Sequence, residues 1–315
     1  MLVATALALV GATRVADAGG ASARAAFRGT NGAIAFSSYG TIRIVRQDGR
    51  GLWTLVTDKN GNHDPAWSPD GRWVAFATDR GNESSLDSIW VISADGSKRE
   101  RVTTQPSRPC PGDPSIRCSV GPSIEDREPA WSPDGRRIIF SRHTSSHEFP
   151  FEETTDLYVV NVNGTGLRRV TTTSGAEERR PQWSPNGKTI LFDNGGSIYL
   201  ADEAGGDIRK LTPGRNGTWS PDGRRIAFVG GPGIDIDWIW IVGADGRGLK
   251  RISPPGVLAE GLAWSPDGRR IAFERDFHAG AGIWTIGVDG KRLRLVVADR
   301  GAAEPDWQPL PTRRG

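Results

Sequence analysis

The chain has 315 residues, 37% of them hydrophobic, enough for one large or two ordinary domains with a substantial core. Its 12 Trp, 41 Gly and 21 Pro against only 3 Tyr argue against a helical bundle and for many short strands joined by tight turns. Lys and Arg together number 40 and Asp and Glu 37, a net charge of +3 that is too even for a polyanion binder; the excess of Arg over Lys reads as coding bias, and no nucleic-acid partner is expected.

The N-terminal run Leu2 to Thr13 is apolar and small, and Ala16-Asp17-Ala18 follows it. Such a run is too short to span a bilayer but fits the apolar core of a secretory signal with an A-x-A cleavage site after Ala18. No Lys or Arg precedes it, as a start codon assigned too far downstream would explain. Residues 1–18 are therefore expected to be a signal peptide, and the protein to be exported: periplasmic, cell-envelope or secreted.

Strand-like segments follow in a fixed order. The first unit has Ile34-Ala35-Phe36, Ile42-Arg43-Ile44, an Asp48-Gly49 turn and Leu52 to Leu55. From there the chain repeats. Trp-Ser-Pro-Asp-Gly begins at Trp67, Trp131, Trp219 and Trp264, Trp-Ser-Pro-Asn-Gly at Trp183, and a degenerate Trp-Gln-Pro at Trp307. After each of the first five comes an apolar triplet (Val74-Ala75-Phe76, Ile138-Ile139-Phe140, Ile190-Leu191-Phe192, Ile226-Ala227-Phe228, Ile271-Ala272-Phe273), then a second apolar strand such as Ile89-Trp90-Val91. Between the second and third units lie the two cysteines of the chain, Cys110 and Cys118, in a Pro-rich stretch. In an exported chain they read as a disulfide, and two Cys without a neighbouring His make a poor zinc site.

Each unit thus reads as four strands, A to D, and spacings near 40–45 residues are those of a propeller blade. In Ser-Pro-Asp-Gly, Pro fixes φ at the second turn position and Gly accepts a positive φ at the fourth. The Pro two residues before Trp (Pro65, Pro129, Pro181, Pro305) is expected at a strand start, and the Trp fills the wedge between blades. The first unit lacks strand A, and Glu304 to Trp307 is a strand A with nothing after it. The two fragments complete one blade. The expected fold is all-β, a six-bladed β-propeller over residues 27–311, with a linker at 19–26 and a tail at 312–315.

These repeats resemble the TolB-like β-propellers, relatives of the WD-repeat propellers, from about Phe27 to Pro311. The resemblance implies the fold and not an activity, since the motif residues are structural. TolB proper carries an N-terminal α/β domain; only the expected signal and a few residues precede Ile34, so no role in the Tol–Pal machinery is carried over. Prolyl-oligopeptidase-type enzymes share the repeat but need a Gly-x-Ser-x-Gly elbow, a string not found here.

In propellers the D-to-A and B-to-C loops surround the channel mouth. The residue three before each Trp (Asp64, Glu128, Arg180, Asn216, Gly261, Glu304) is expected nearest the axis, where with His63 it is able to hold a charged peptide or a cation. A solvated polar rim is the alternative. Two insertions share this face: Gln105 to Asp126, and the third blade's B-to-C loop from His143 to Glu153, whose Phe149 and Phe151 either anchor a partner or fold back over the blade. The four His (His63, His143, His147, His278) all fall on it. His143, His147 and Glu148 are able to ligate a cation, but no spacing matches a specific metal motif, and no cofactor is favoured. The expected function is non-catalytic binding of a protein or peptide of the cell envelope by a monomer without a membrane span. The alternative is a divalent-metal-dependent hydrolase or lyase acting on a sugar acid or lactone.

Overall fold

A computed structural model describes residues 29–58, 60–80, 86–104, 122–146, 152–173, 177–231, 238–255, 257–275 and 280–311, and residues 108–110 and 113–118 as backbone. Among these residues the strands form six four-stranded antiparallel sheets and one two-stranded sheet. Each four-stranded sheet is a blade with order A-B-C-D. Blade 1 comprises Ala302–Leu310, Thr30–Ser38, Thr41–Arg46 and Trp53–Val56. The A and B strands of the others are Asn62–Trp67 and Trp73–Thr78 (blade 2), Ser123–Trp131 and Arg137–Ser145 (blade 3), Arg179–Trp183 and Thr189–Asn194 (blade 4), Arg215–Trp219 and Arg225–Val229 (blade 5), and Glu260–Trp264 and Arg270–Arg275 (blade 6). The ring closes as expected: Ile34 faces Trp307 and Ser38 faces Ala302 across one antiparallel ladder. Among the described residues no helix is long and apolar enough to cross a membrane.

The core lies at the seams between blades. Six apolar clusters each combine residues of two neighbours; Ala35, Ile42, Ile44 and Val56 of blade 1, for example, meet Trp67, Val74, Phe76 and Ile92 of blade 2. A blade is therefore covered on both faces, which is why its B strand is a continuous apolar run rather than an alternating one. Phe36, Phe76, Phe140, Phe192, Phe228 and Phe273 are all fully buried. The Ser-Pro-Asp-Gly turn behaves as its sequence suggests: Gly71 has φ +69° and donates to the Ser68 carbonyl at 2.9 Å. Ser68 does more than open the turn. Its Oγ donates to Asp70 at 2.6 Å and accepts the Trp73 N–H at 2.9 Å, which ties the turn to strand B.

Two insertions differ from their reading as loops. Residues 143–145 and 153–155 continue the blade 3 ladder, with His143 opposite Thr155 and Ser145 opposite Glu153, and Ser123 to Asp126 already belong to strand A. Arg108–Cys110 and Asp113–Cys118 pair as a hairpin, Arg108 opposite Cys118 and Cys110 opposite Asp113. The cysteine side chains lie outside the described residues.

At the base of the blade 3 extension Asp126 is fully buried and takes two hydrogen bonds from Arg142, at 2.6 and 2.8 Å. Arg142 is 7% exposed and lies against the Tyr158 ring at 4.8 Å. Asp126→Asn would strand a buried guanidinium, at a cost of about 3–5 kcal/mol. Calorimetry should show a melting temperature lower by on the order of 10 °C; an unchanged value would mean that the pair contributes nothing net.

Candidate functional site

The six residues expected nearest the axis do converge. Asp64, Glu128, Arg180, Asn216, Gly261 and Glu304 all line a central cavity of about 170 Å³. All six share a conformation that local sequence does not announce, the left-handed region with φ between +50° and +56°. Each sits at a bulge where strand A leaves register with strand B, as between His63 and Ala66. The Pro that follows in four blades is therefore inside the strand, at the bulge where the ladder is already broken, and not at a strand start.

A bulge residue's N–H has no ladder partner, and a buried N–H needs an acceptor. The neighbouring blade supplies a carboxylate. Asp64 N–H donates to Glu304 at 2.7 Å, Glu128 N–H to Asp64 at 3.0 Å, and Arg180 N–H to Glu128 at 2.7 Å. Blades 4 and 6 have Arg180 and Gly261 in the ring, and there strand B provides the acid instead. Asp193 accepts from Asn216 N–H at 2.6 Å, and Glu274 from Glu304 N–H at 3.4 Å. In blades 1 and 3 the same strand B position holds Ser37 and Ser141, which donate to Glu304 and Glu128 at 2.9 and 2.8 Å. The mouth is thus a stapled ring, not a freely solvated rim. These hydrogen bonds, about 0.5–1.5 kcal/mol each and about 1.5–3 where the acceptor is charged, offset the left-handed strain.

Behind the ring His63 lies between two acids, with Nδ1 2.9 Å from Asp64 and Nε2 3.1 Å from Asp87. Asp87 also accepts from Arg127 at 2.6 Å. Burial alone would lower His63, but these hydrogen bonds and the two negative charges outweigh it and lift the imidazole to about 10. Burial would raise Asp64, yet His63 beside it holds it below the usual range; burial and the charge of Asp64 together push Glu304 up. Burial lifts Asp193 to about 7, against the pull of the Asn216 N–H and Arg180. On the other side of the ring, Glu260 takes Arg215 at 2.5 Å and the Asn216 amide.

His63, Asp64 and Glu304 offer ligand atoms within 4.8 Å of one another. They do not fit a divalent ion. Ligation needs a neutral imidazole nitrogen with a free lone pair, whereas both nitrogens of His63 lie against carboxylates that lift its imidazole to about 10. His143 bonds Thr155 at 3.2 Å and does not join this group; His147, Glu148, Phe149, Phe151 and His278 lie outside the described residues.

The sequence reading missed four features of this face. Asp193 and Glu274 were visible as acids directly after the apolar triplet in the two blades whose ring residue is Arg or Gly. Asp306 stands where the other blades have Ala66, Ala130, Gln182, Thr218 and Ala263. Tyr39 is the fourth. With Gly40 it makes the two-residue B-to-C turn of blade 1, at φ +47° and +75°, where blade 4 uses Gly195-Gly196. Tyr39 is 79% exposed, and its ring lies so close over Gly301 that a Cβ there would meet it at 2.6 Å.

Residues 118–311, more than half of the chain, match the family model of the TolB beta propeller domain. The chain belongs to that family. TolB from Acinetobacter baumannii superposes with a TM-score of 0.69 at 22% identity, over 88% of this chain and 67% of that one, a likeness of fold. The uncharacterized protein Atu1656 of Agrobacterium fabrum is 26% identical over 146 residues, 45% of this chain and 43% of its own length. The uncharacterized peptidase YuxL of Bacillus subtilis is 28% identical over 152 residues, 41% of this chain and 21% of its own. The chain therefore spans less than half the length of these curated relatives.

Proposed function

We propose that this TolB-family propeller is exported and binds a protein or peptide partner through its channel-mouth face, without catalysis. Tyr39 carries this reading. An exposed aromatic ring is held in left-handed strain, on the face where Ser37 and Glu304 meet, at a turn for which glycine is the unstrained residue. Large, rigid aromatic side chains are the usual anchors of protein interfaces.

Asp64 and Glu128 are poor probes of binding, because each staples a neighbouring blade and its loss would also destabilise the ring. Tyr39→Gly separates the two effects. It relieves the strain, so the melting temperature should hold or rise slightly, while capture of the wild-type partner from the envelope fraction should fall at least tenfold. Equal capture by both proteins would refute the assignment of this face. The alternative, a metal-dependent hydrolase or lyase, is opposed by the doubly engaged His63; stoichiometric metal in the purified protein, with an activity lost to chelator, would restore it.

A further inference from the structure

Below the mouth each strand A runs down the cavity wall. The collar beneath the bulge residues is Pro65, Pro129, Pro181, Gly217, Leu262 and Pro305, all lining the cavity. One position deeper Asp306 lines it as well, as the sole acid at its level. Its carboxylate accepts the Trp67 N–H at 2.7 Å, and among the described residues no Lys, Arg or His forms an ion pair with it. Asp306 is half-buried in the cavity wall, and burial lifts it to about 7 against the pull of the Trp67 and Trp307 N–H groups. Arg180, the basic member of the ring, leans instead toward Glu128 and Asp193, at 3.8 and 3.9 Å.

A second group asks for a donor. Asn216 is 3% exposed and lines the mouth; its amide nitrogen is engaged by Glu260, and its Oδ1 is buried without a hydrogen-bond partner. An orphaned buried acceptor costs about 1–3 kcal/mol unless a ligand supplies an N–H.

We propose that the channel throat is a subsite for one lysine or arginine side chain of the partner, its cation at Asp306, its methylenes in the proline collar and an N–H of its backbone at Asn216 Oδ1. This deepens the binding reading above and rests on it. Charge, shape and depth agree. The acids of the entrance, Asp64, Glu128 and Glu260, already face His63, Arg180 and Arg215, which leaves Asp306 as the acid of the throat without a cation of its own, and the collar offers carbon to an aliphatic stem. Asp306 lies two residues along the strand from Glu304 of the mouth ring, at most about 7 Å, a distance that four methylenes and an ammonium span. A bare divalent ion is a worse match, since it needs several oxygen ligands and the throat offers one carboxylate among prolines.

The test is calorimetric titration at pH 8 with Nα-acetyl-lysine N-methylamide and its uncharged norleucine isostere. The lysine compound should bind wild type and the norleucine compound should not. Asp306→Asn keeps an acceptor for the Trp67 N–H and should weaken lysine binding at least tenfold with no loss of melting temperature. Asp306→Ala, the residue that blades 2, 3 and 6 carry at this place, should weaken lysine binding as much, with a lower melting temperature because the Trp67 N–H loses its acceptor, and covers the case in which the Asn variant misfolds. Equal binding of the two compounds, undiminished binding by both variants, or no binding of lysine to wild type would each overturn the subsite. Failure here with partner capture still dependent on Tyr39 would leave the mouth reading intact. Lysine binding lost in Asp306→Asn, with no partner captured at the mouth, would refute that reading alone.

Discussion

A chain ending at Gly301 should not form a cooperatively folded propeller. Strand A of blade 1, Ala302–Leu310, carries the backbone ladder that ties the C-terminal end of the chain into the first blade. Its removal deletes Trp307, 3% exposed, from the seam between blades 6 and 1, and bares the whole edge of Thr30–Ser38. It also removes the acceptors of the Asp64 and Trp67 N–H groups, on Glu304 and Asp306. Gln308 goes too, which takes the Ala33 N–H at 3.1 Å and donates to the Gly71 carbonyl at 2.8 Å, bridging two blades. Loss of the Trp alone costs about 3–5 kcal/mol, and several orphaned buried N–H groups add to it, against a total stability of about 5–15 kcal/mol. Thermal melts followed by circular dichroism should show no sharp transition for the truncated chain. A peptide of residues 302–311 added in trans should restore it. A single cooperative melt at the wild-type temperature without the peptide would disprove the closure as the keystone of the fold.

Stability should peak near pH 5 and fall steadily toward pH 9. Asp193 and Asp306, each lifted by burial to about 7, hold protons in the folded state that the unfolded chain has released above about 4. Folding then binds protons across that interval, so stability declines as pH rises through it. Glu304, also pushed up, adds to the slope in the same sense. His63, lifted to about 10, continues the decline from about 6.5 upward as its imidazolium becomes harder to keep. Asp64, held low by His63, has the opposite sign, but its contribution is fully present above about pH 4 and is lost only below it. For Asp306 alone the effect is on the order of 4 kcal/mol between the two extremes. The sequence pI of about 9.1 argues the other way, since charge repulsion in so basic a chain eases as pH rises toward it. Melting temperatures at pH 5, 7 and 9 decide between them. Asp193→Asn and Asp306→Asn, which keep acceptors for the backbone N–H groups, should each flatten the curve; a wild-type melting temperature that stays level or rises between pH 5 and 9 would refute the buried-acid account.

Much of this molecule is readable from local chemistry alone. The Trp-Ser-Pro-Asp-Gly turns, the apolar triplets with both faces covered, the count of blades and the closure by Trp307 all follow from features a few residues long that repeat in register. Even the ring positions follow, because three residues before each Trp is a fixed distance along strand A. Two insertions were misjudged as loops, because the polar stretches around His143 and Ser123 carry no apolar alternation and pair only because blade 3 is already there to extend.

The chemistry at the ring had to wait for the tertiary structure. Asp64 and Glu304 are 240 residues apart in the chain and meet only across the closing seam. That meeting decides that Asp64 staples a neighbour, whereas the raised His63 comes from Asp64 beside it and Asp87 on the same blade. Asp306 looks in the sequence like one more substitution in a worn repeat. Its titration and its lack of a counter-charge come from six strands packed around one axis, each contributing part of the burial. Turn geometry and apolar period are properties of neighbours along the chain, whereas the charge state of a buried acid is a property of everything around it in space.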